Sequence, residues 1–139
     1  MLHYRKTGTG DIDLIVTPAD TRRPWRVIYL RAHFIDKTST SVTKDADLTA
    51  TVQHDPHNPD TDQPFNAALF TLGAIGLNRD GNYQPPDGTG DILGAGQGLG
   101  LAWTNPDDGL IAWGIELAYE HYGQPIPSGR PGEGLEAPP

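Results

Sequence analysis

At 139 residues the chain is sized for one domain with one core, and no apolar run approaches the roughly 20 residues of a membrane-spanning helix. It contains no cysteine, which excludes disulfide frameworks and thiolate metal sites. Its 18 Asp and Glu against 10 Lys and Arg give a formal charge of −8, which disfavours nonspecific contact with a nucleic acid backbone.

Gly (17) and Pro (13) punctuate a sequence rich in Thr, Val, Ile and aromatics, in which Asp outnumbers Glu and Lys and Met are scarce. Short strands joined by turns, an all-β domain, are the expected outcome. The opening MLHYRKTGTG lacks the apolar segment of a secretory signal and reads as a basic N-terminal segment, residues 1–10. A soluble protein made in the cytoplasm is expected. The domain proper is expected at 11–122 and a Pro/Gly-rich arm at 123–139.

DIDLIVTP (Asp11–Pro18) sets Ile12, Leu14 and Val16 against Asp13, Ile15 and Thr17, a strand stopped by proline. After the loop PADTRRP, the run WRVIYLRAHFID (Trp25–Asp36) predicts a long strand. Simple alternation puts Ile28, Leu30, Ala32 and Phe34 on one face and Trp25, Val27, Tyr29, Arg31 and His33 on the other. DLTATVQH (Asp47–His54) alternates Leu48, Ala50, Val52 and His54 with Thr49, Thr51 and Gln53, as a half-buried strand does. DPHNPDTDQP is a loop. FNAALFTLGAIGLN (Phe65–Asn78) has the apolar content of a short helix, but Gly73 and Gly76 interrupt it, and a strand is expected. RDGNYQPPDGTGD (Arg79–Asp91) reads as another loop.

In LAWTNPDDGLIAWGIELAYE, Leu99, Leu101 and Trp103 alternate before the turn formers, and Trp113, Ile115, Leu117 and Tyr119 alternate after them. Two period-two runs around NPDDG predict a β-hairpin with a loop of about five residues and both tryptophans in the core. GTGDI occurs at Gly8–Ile12 and at Gly88–Ile92; loop-to-strand entry explains it, because nothing else repeats.

Candidate chemistry is sparse. GAGQGLG (Gly94–Gly100) fails the dinucleotide fingerprint, where Leu99 stands for the third glycine, and lacks the Lys-Ser/Thr of a phosphate loop. His54, Asp55, His57, Asp60 and Asp62 crowd into nine residues, without the glycine or closing acid of a calcium loop, and read as a solvated loop. Ser39, Ser41 and Ser128 sit in no nucleophile elbow. Glu116 and Glu120, about 13 Å apart at strand rise, are too distant for a retaining glycosidase pair and read as a solvated face. His33, with Asp36 nearby, is a candidate base, though a partly buried surface histidine is the commoner reading. No active site, metal site or cofactor is expected. Arg5, Lys6, Arg22, Arg23, Arg26 and Arg31 concentrate positive charge in the first quarter, either to orient the subunit against an acidic partner or as a scattered solvated face.

Taken in order, the opening strand, RPWRVIYLRAHF, ADLTATVQHD, the loop-rich middle and GLGLAWTNPDDGLIAWGIELAYE resemble the small β-sandwich virion proteins of tailed bacteriophages. The resemblance covers Asp11–Tyr122. It implies an antiparallel, jelly-roll-like β-sandwich with an extended C-terminal arm. The implied role is a non-enzymatic capsid decoration protein or, in other members, a head-fibre, neck or tail component. The implied setting is the virion, assembled in the host cytoplasm. The major capsid protein or neighbouring virion subunits are the implied partners, a homo-oligomer is expected, and neither nucleic acid nor membrane is. Arg5, Lys6, Arg22 and Arg23 at one end of the chain and Pro125, Ile126, Pro127, Arg130 and Leu135 in the arm are the expected assembly contacts. A carbohydrate-binding sandwich is the alternative, with Trp25, Tyr29, Tyr83 and Tyr122 as its aromatic candidates.

Overall fold

A computed structural model of the chain describes residues 1–36, 44–58, 63–76, 80–86, 88–106 and 111–123. Among them the chain is all strand and turn, apart from one 3₁₀ turn at Gln63–Phe65. The strands are β1 (Leu2–Thr9), β2 (Ile12–Val16), β3 (Trp25–Asp36), β4 (Asp45–Gln53), β5 (Ala67–Gly76), β6 (Gly81–Tyr83), β7 (Ile92–Leu93), β8 (Gly98–Trp103) and β9 (Ile111–His121). Two antiparallel sheets pack face to face as a β-sandwich. One runs β1-β9-β3-β6, with β7 also on β3; the other runs β2-β8-β4-β5. The antiparallel pairs β1·β9, β2·β8, β3·β6 and β4·β5 nest one inside the next, around the β4–β5 connection.

The core is what alternating strands must bury. Ile12 and Val16 from β2, Leu48 and Ala50 from β4, and Leu99, Leu101 and Trp103 from β8 face Leu30, Ala32, Ile115 and Leu117 from the other sheet, all at 2% exposure or less. A Leu or Ile buried this fully contributes about 1.5–3 kcal/mol. Both tryptophans of the predicted hairpin are core residues, Trp103 at 1% and Trp113 at 7% exposure.

The hairpin itself does not form. β8 pairs with β2 and β4, whereas β9 pairs with β1 and β3, so the two strands lie in opposite sheets. Their tryptophans enter one core from its two sides. Hairpin and arch bury the same alternate residues, so periodicity does not separate them. The span from Trp103 to Ile111 exceeds the two to five residues of most hairpin loops.

β3 departs from simple alternation. Trp25 and Val27 are buried, but so are Leu30, Ala32 and Phe34, two sets of opposite phase. The register with β9 steps from Val27↔Tyr119 to Tyr29↔Ala118, so Ile28 is one residue too many. This β-bulge switches the inward face in mid-strand. Residues 1–10, expected ahead of the domain, contain β1, an edge strand in continuous register with β9. Within the expected 79–91 loop, Gly81–Tyr83 forms β6 against β3, too short a strand to show a period. The two GTGDI copies differ in backbone: the left-handed glycine is Gly10 in the first and Gly88 in the second, while Ile12 and Ile92 both open strands.

The sheet edges are shielded in different ways. β1 has no register break, but alternation puts Lys6 on the inward-facing side with Tyr4 and Gly8, where it stays exposed. An inward-phase charge discourages an incoming strand. β5 carries no charge. Against β4 its register slips twice, at Ile75–Leu72 and Phe70–Ala68, each time with one extra residue in β5, and bulges of this kind twist an edge out of reach.

Candidate functional site

The outer face of the β1-β9-β3 sheet is built in rungs. Registers align Thr9–Ala112–Ile35, then Thr7–Gly114–His33, then Arg5–Glu116–Arg31, then His3–Ala118–Tyr29. Across these four rungs the outward residues of the central strand are small except at Glu116. The result is an open trough of about 400 Å³ over Ala112 and Gly114, walled by Thr7 and Thr9 on one side and by His33 and Ile35 on the other.

Glu116 stands on the next rung beyond Gly114. Arg5 Nε donates to its Oε2 at 2.6 Å, Tyr29 Oη donates to its Oε1 at 2.6 Å, and Arg31 Nη1 lies 4.0 Å from Oε1. The Arg31 guanidinium also sits over the Tyr29 ring, 4.5 Å from its centroid. The bonds from Tyr29 and Arg5 hold the Glu116 carboxyl below the ordinary glutamate range. The same carboxylate raises the Tyr29 phenol and the Arg5 guanidinium. Glu116 is thus the hub of a four-residue cluster and not merely part of a solvated face.

Because the folded carboxyl titrates below its unfolded value of about 4.3, its contribution to stability is complete above that pH and is lost as pH falls through the depressed value. Glu116→Gln is therefore expected to melt below the parent chain at pH 7. The gap should close on acidification below about pH 4. Thermal melts at stepped pH read this directly, and a gap unchanged at low pH would show that the carboxylate charge contributes nothing.

His33 lies on the trough wall with its partner. Its Nδ1 lies 2.7 Å from Asp80 Oδ2, and Asp80 Oδ1 accepts the Phe34 amide at 3.4 Å; the side chain of Asp36, the expected neighbour, is not among those described.

The expected assembly residues separate. Arg5 and Lys6 point to opposite faces of β1, so they form no common patch. Arg22 and Arg23 stand in the β2–β3 loop at the end of β9. From Glu116 to His121 is five residues along that strand, about 17 Å. Arg22 bonds Asp20, whose carboxyl is lowered chiefly by the Arg22 backbone N–H. Arg23 Nε donates to the Gly123 carbonyl at 3.2 Å, where the C-terminal segment begins. Pro125, Ile126, Pro127, Arg130 and Leu135 lie outside the described residues.

The aromatic candidates form no platform. Trp25 is fully buried, with Nε1 donating to the Gln97 carbonyl at 3.1 Å. Tyr83 stacks on Phe70 at 3.8 Å, and Tyr29 is tied to Glu116. Tyr122 is half exposed under Arg26.

No family model matches the chain, and no curated protein matches it in sequence.

The other motifs resolve locally. In the glycine loop, the Gly94 amide donates to Gln97 Oε1, the Gly96 amide to the Thr21 carbonyl and the Gln97 amide to the Gly94 carbonyl. Those amides are committed within the protein, and none of the three is left to cradle a phosphate. In the His/Asp loop, Asp55 accepts from the His57 amide and from Asn58 Nδ2, and these bonds, Asn58's first, lower its carboxyl. Among the described residues no three His, Asp or Glu side chains converge on a common point. Asp60 and Asp62 lie outside those residues.

Sequence reasoning missed the Glu116 cluster. Its three partners come from β1 and β3, far away in the chain, and only the register brings them together. The visible signal was a carboxylate set between Gly114 and Ala118 on the outward phase of the strand.

Proposed function

We propose that this chain is a non-enzymatic virion structural protein of a tailed bacteriophage, an auxiliary head protein that decorates the capsid by binding the major capsid protein lattice. The nested order of strand pairs carries the reading. A hairpin folded on itself so that β1·β9, β2·β8, β3·β6 and β4·β5 are successive pairs is the connectivity from which a jelly roll is wound. Such a sandwich fills its interior with side chains and leaves its loops and chain ends for contacts. Arg23 bonds the Gly123 carbonyl, so the basic β2–β3 loop stands beside the last described residue before the C-terminal segment, and the two can act on one partner surface.

The test is co-sedimentation with capsids assembled from the major capsid protein of the same genome. The full chain is expected in the particle fraction. A chain ending at Gly123 should bind weakly yet melt at the same temperature. Failure of the full chain to sediment with capsids overturns the reading, and equal binding by the shortened chain removes the C-terminal segment from it.

A further inference from the structure

We propose that the trough over Ala112 and Gly114 binds the carboxylated end of a saccharide. The inference stands apart from the virion reading, since it needs only the outer face of one sheet.

The floor decides the class of ligand. Both sides of β9 are paired, with β1 and with β3, so the backbone beneath the trough has no N–H or C=O to offer. An extended peptide laid there would leave its own amides unmatched. A sugar ring carries its polar groups at its rim and presents a C–H face to a flat floor. Rim hydroxyls would meet Thr7 and Thr9 on one wall and His33 on the other, whose Nδ1 is engaged by Asp80. Adjacent strands lie about 4.8 Å apart, so the walls stand about 10 Å from each other, room for one ring.

The neighbouring rung decides the charge. Arg5 and Arg31 share the single carboxylate of Glu116, which leaves one positive charge in excess on that rung, while the other carboxylate beside the trough, Asp80, is engaged by His33. On a chain of net charge −8, this is a local exception that favours an anionic group. The other sheet offers a contrast. Its central strand β8 also has a small outward residue, Gly100, but Gln53 and Thr51 lie over it, 2.5 and 2.8 Å from where a Cβ would stand. Over Gly114 the nearest such atom is the Thr7 methyl, at 3.9 Å. One floor is covered and the other is open.

The test is an NMR titration of the full chain with methyl β-D-glucuronide and, separately, methyl β-D-glucoside. Saturable amide shifts are expected at Thr7, Ala112 and Gly114, with the glucuronide bound about tenfold more tightly, the scale of one charge-assisted hydrogen bond. Gly114→Val fills the floor where there is space for it, so the variant should keep its melting temperature and lose the shifts. Arg31→Gln should reduce the glucuronide to the affinity of the glucoside. Any of three results overturns the proposal: no saturable shift at these residues with either sugar, equal affinity for the two, or unchanged binding by a folded Gly114→Val chain.

Discussion

Trp103→Ala is expected to remove most of the stability of the domain, and Trp103→Phe only a part. The indole is 1% exposed and lies 4.7 Å from the Phe34 ring across the sandwich. Its Nε1 donates to the carbonyls of Ala46 at 3.2 Å and Ile75 at 3.0 Å, pinning β8 to the end of the β4–β5 pair where those two residues are register partners. Truncating a buried Trp costs about 3–5 kcal/mol, and a buried carbonyl left without a donor adds about 1–3 kcal/mol. A domain of this kind is stable by about 5–15 kcal/mol, so the alanine variant falls at or near the unfolding threshold. Phenylalanine keeps a buried aromatic ring but loses the N–H and the volume of the pyrrole ring. Trp113 is the control. Its Nε1 is buried and has no hydrogen-bond partner among the described residues, so Trp113→Phe loses the same ring volume but no hydrogen bond and should cost less than Trp103→Phe. Urea midpoints at constant m-value measure all three. Equal losses for the two phenylalanine variants would show that the Trp103 bonds contribute nothing.

What could be read from the chain and what could not divide along a physical line. A strand's own alternation is local, so the buried sets Ile12 and Val16, Leu48 and Ala50, and Leu99, Leu101 and Trp103 follow from the order of residues alone. Pairing is not local. Leu99–Trp103 and Trp113–Tyr119 bury their alternate residues equally well against each other or against other strands. The choice falls to β2, β4, β1 and β3, whose registers no single run contains. The Glu116 cluster and the trough beside it are products of those registers. So is the short strand β6, which exists only because Leu30–Ala32 offers it an edge. Lys6 shows the same limit on a smaller scale: beside Arg5 in sequence, it faces the other way in the sheet.

The bulge in β3 was legible in part, and it yields the second large effect. WRVIYLRAHF carries its bulky apolar groups in two phases, Trp25 and Val27 in one and Leu30, Ala32 and Phe34 in the other, and only one residue in excess reconciles them. Deleting Ile28 is therefore expected to leave a folded protein. Val27 and Tyr29 become neighbours, their partners Tyr119 and Ala118 already are, and the ladder turns regular with every inward residue still inward. Inserting one alanine after Val27 does the opposite. It turns Trp25 and Val27 outward, breaks the bond from Trp25 Nε1 to Gln97, and drives Arg26 toward the core. Exposing a Trp and a Val forfeits several kcal/mol, and an unpaired buried guanidinium adds several more. Together these exceed what a domain of about 5–15 kcal/mol can absorb. Amide dispersion and near-ultraviolet circular dichroism distinguish the outcomes: a native spectrum for the deletion and a collapsed one for the insertion. If both variants unfold alike, Ile28 is not a supernumerary residue but a packed one, and the two phases of β3 need another cause.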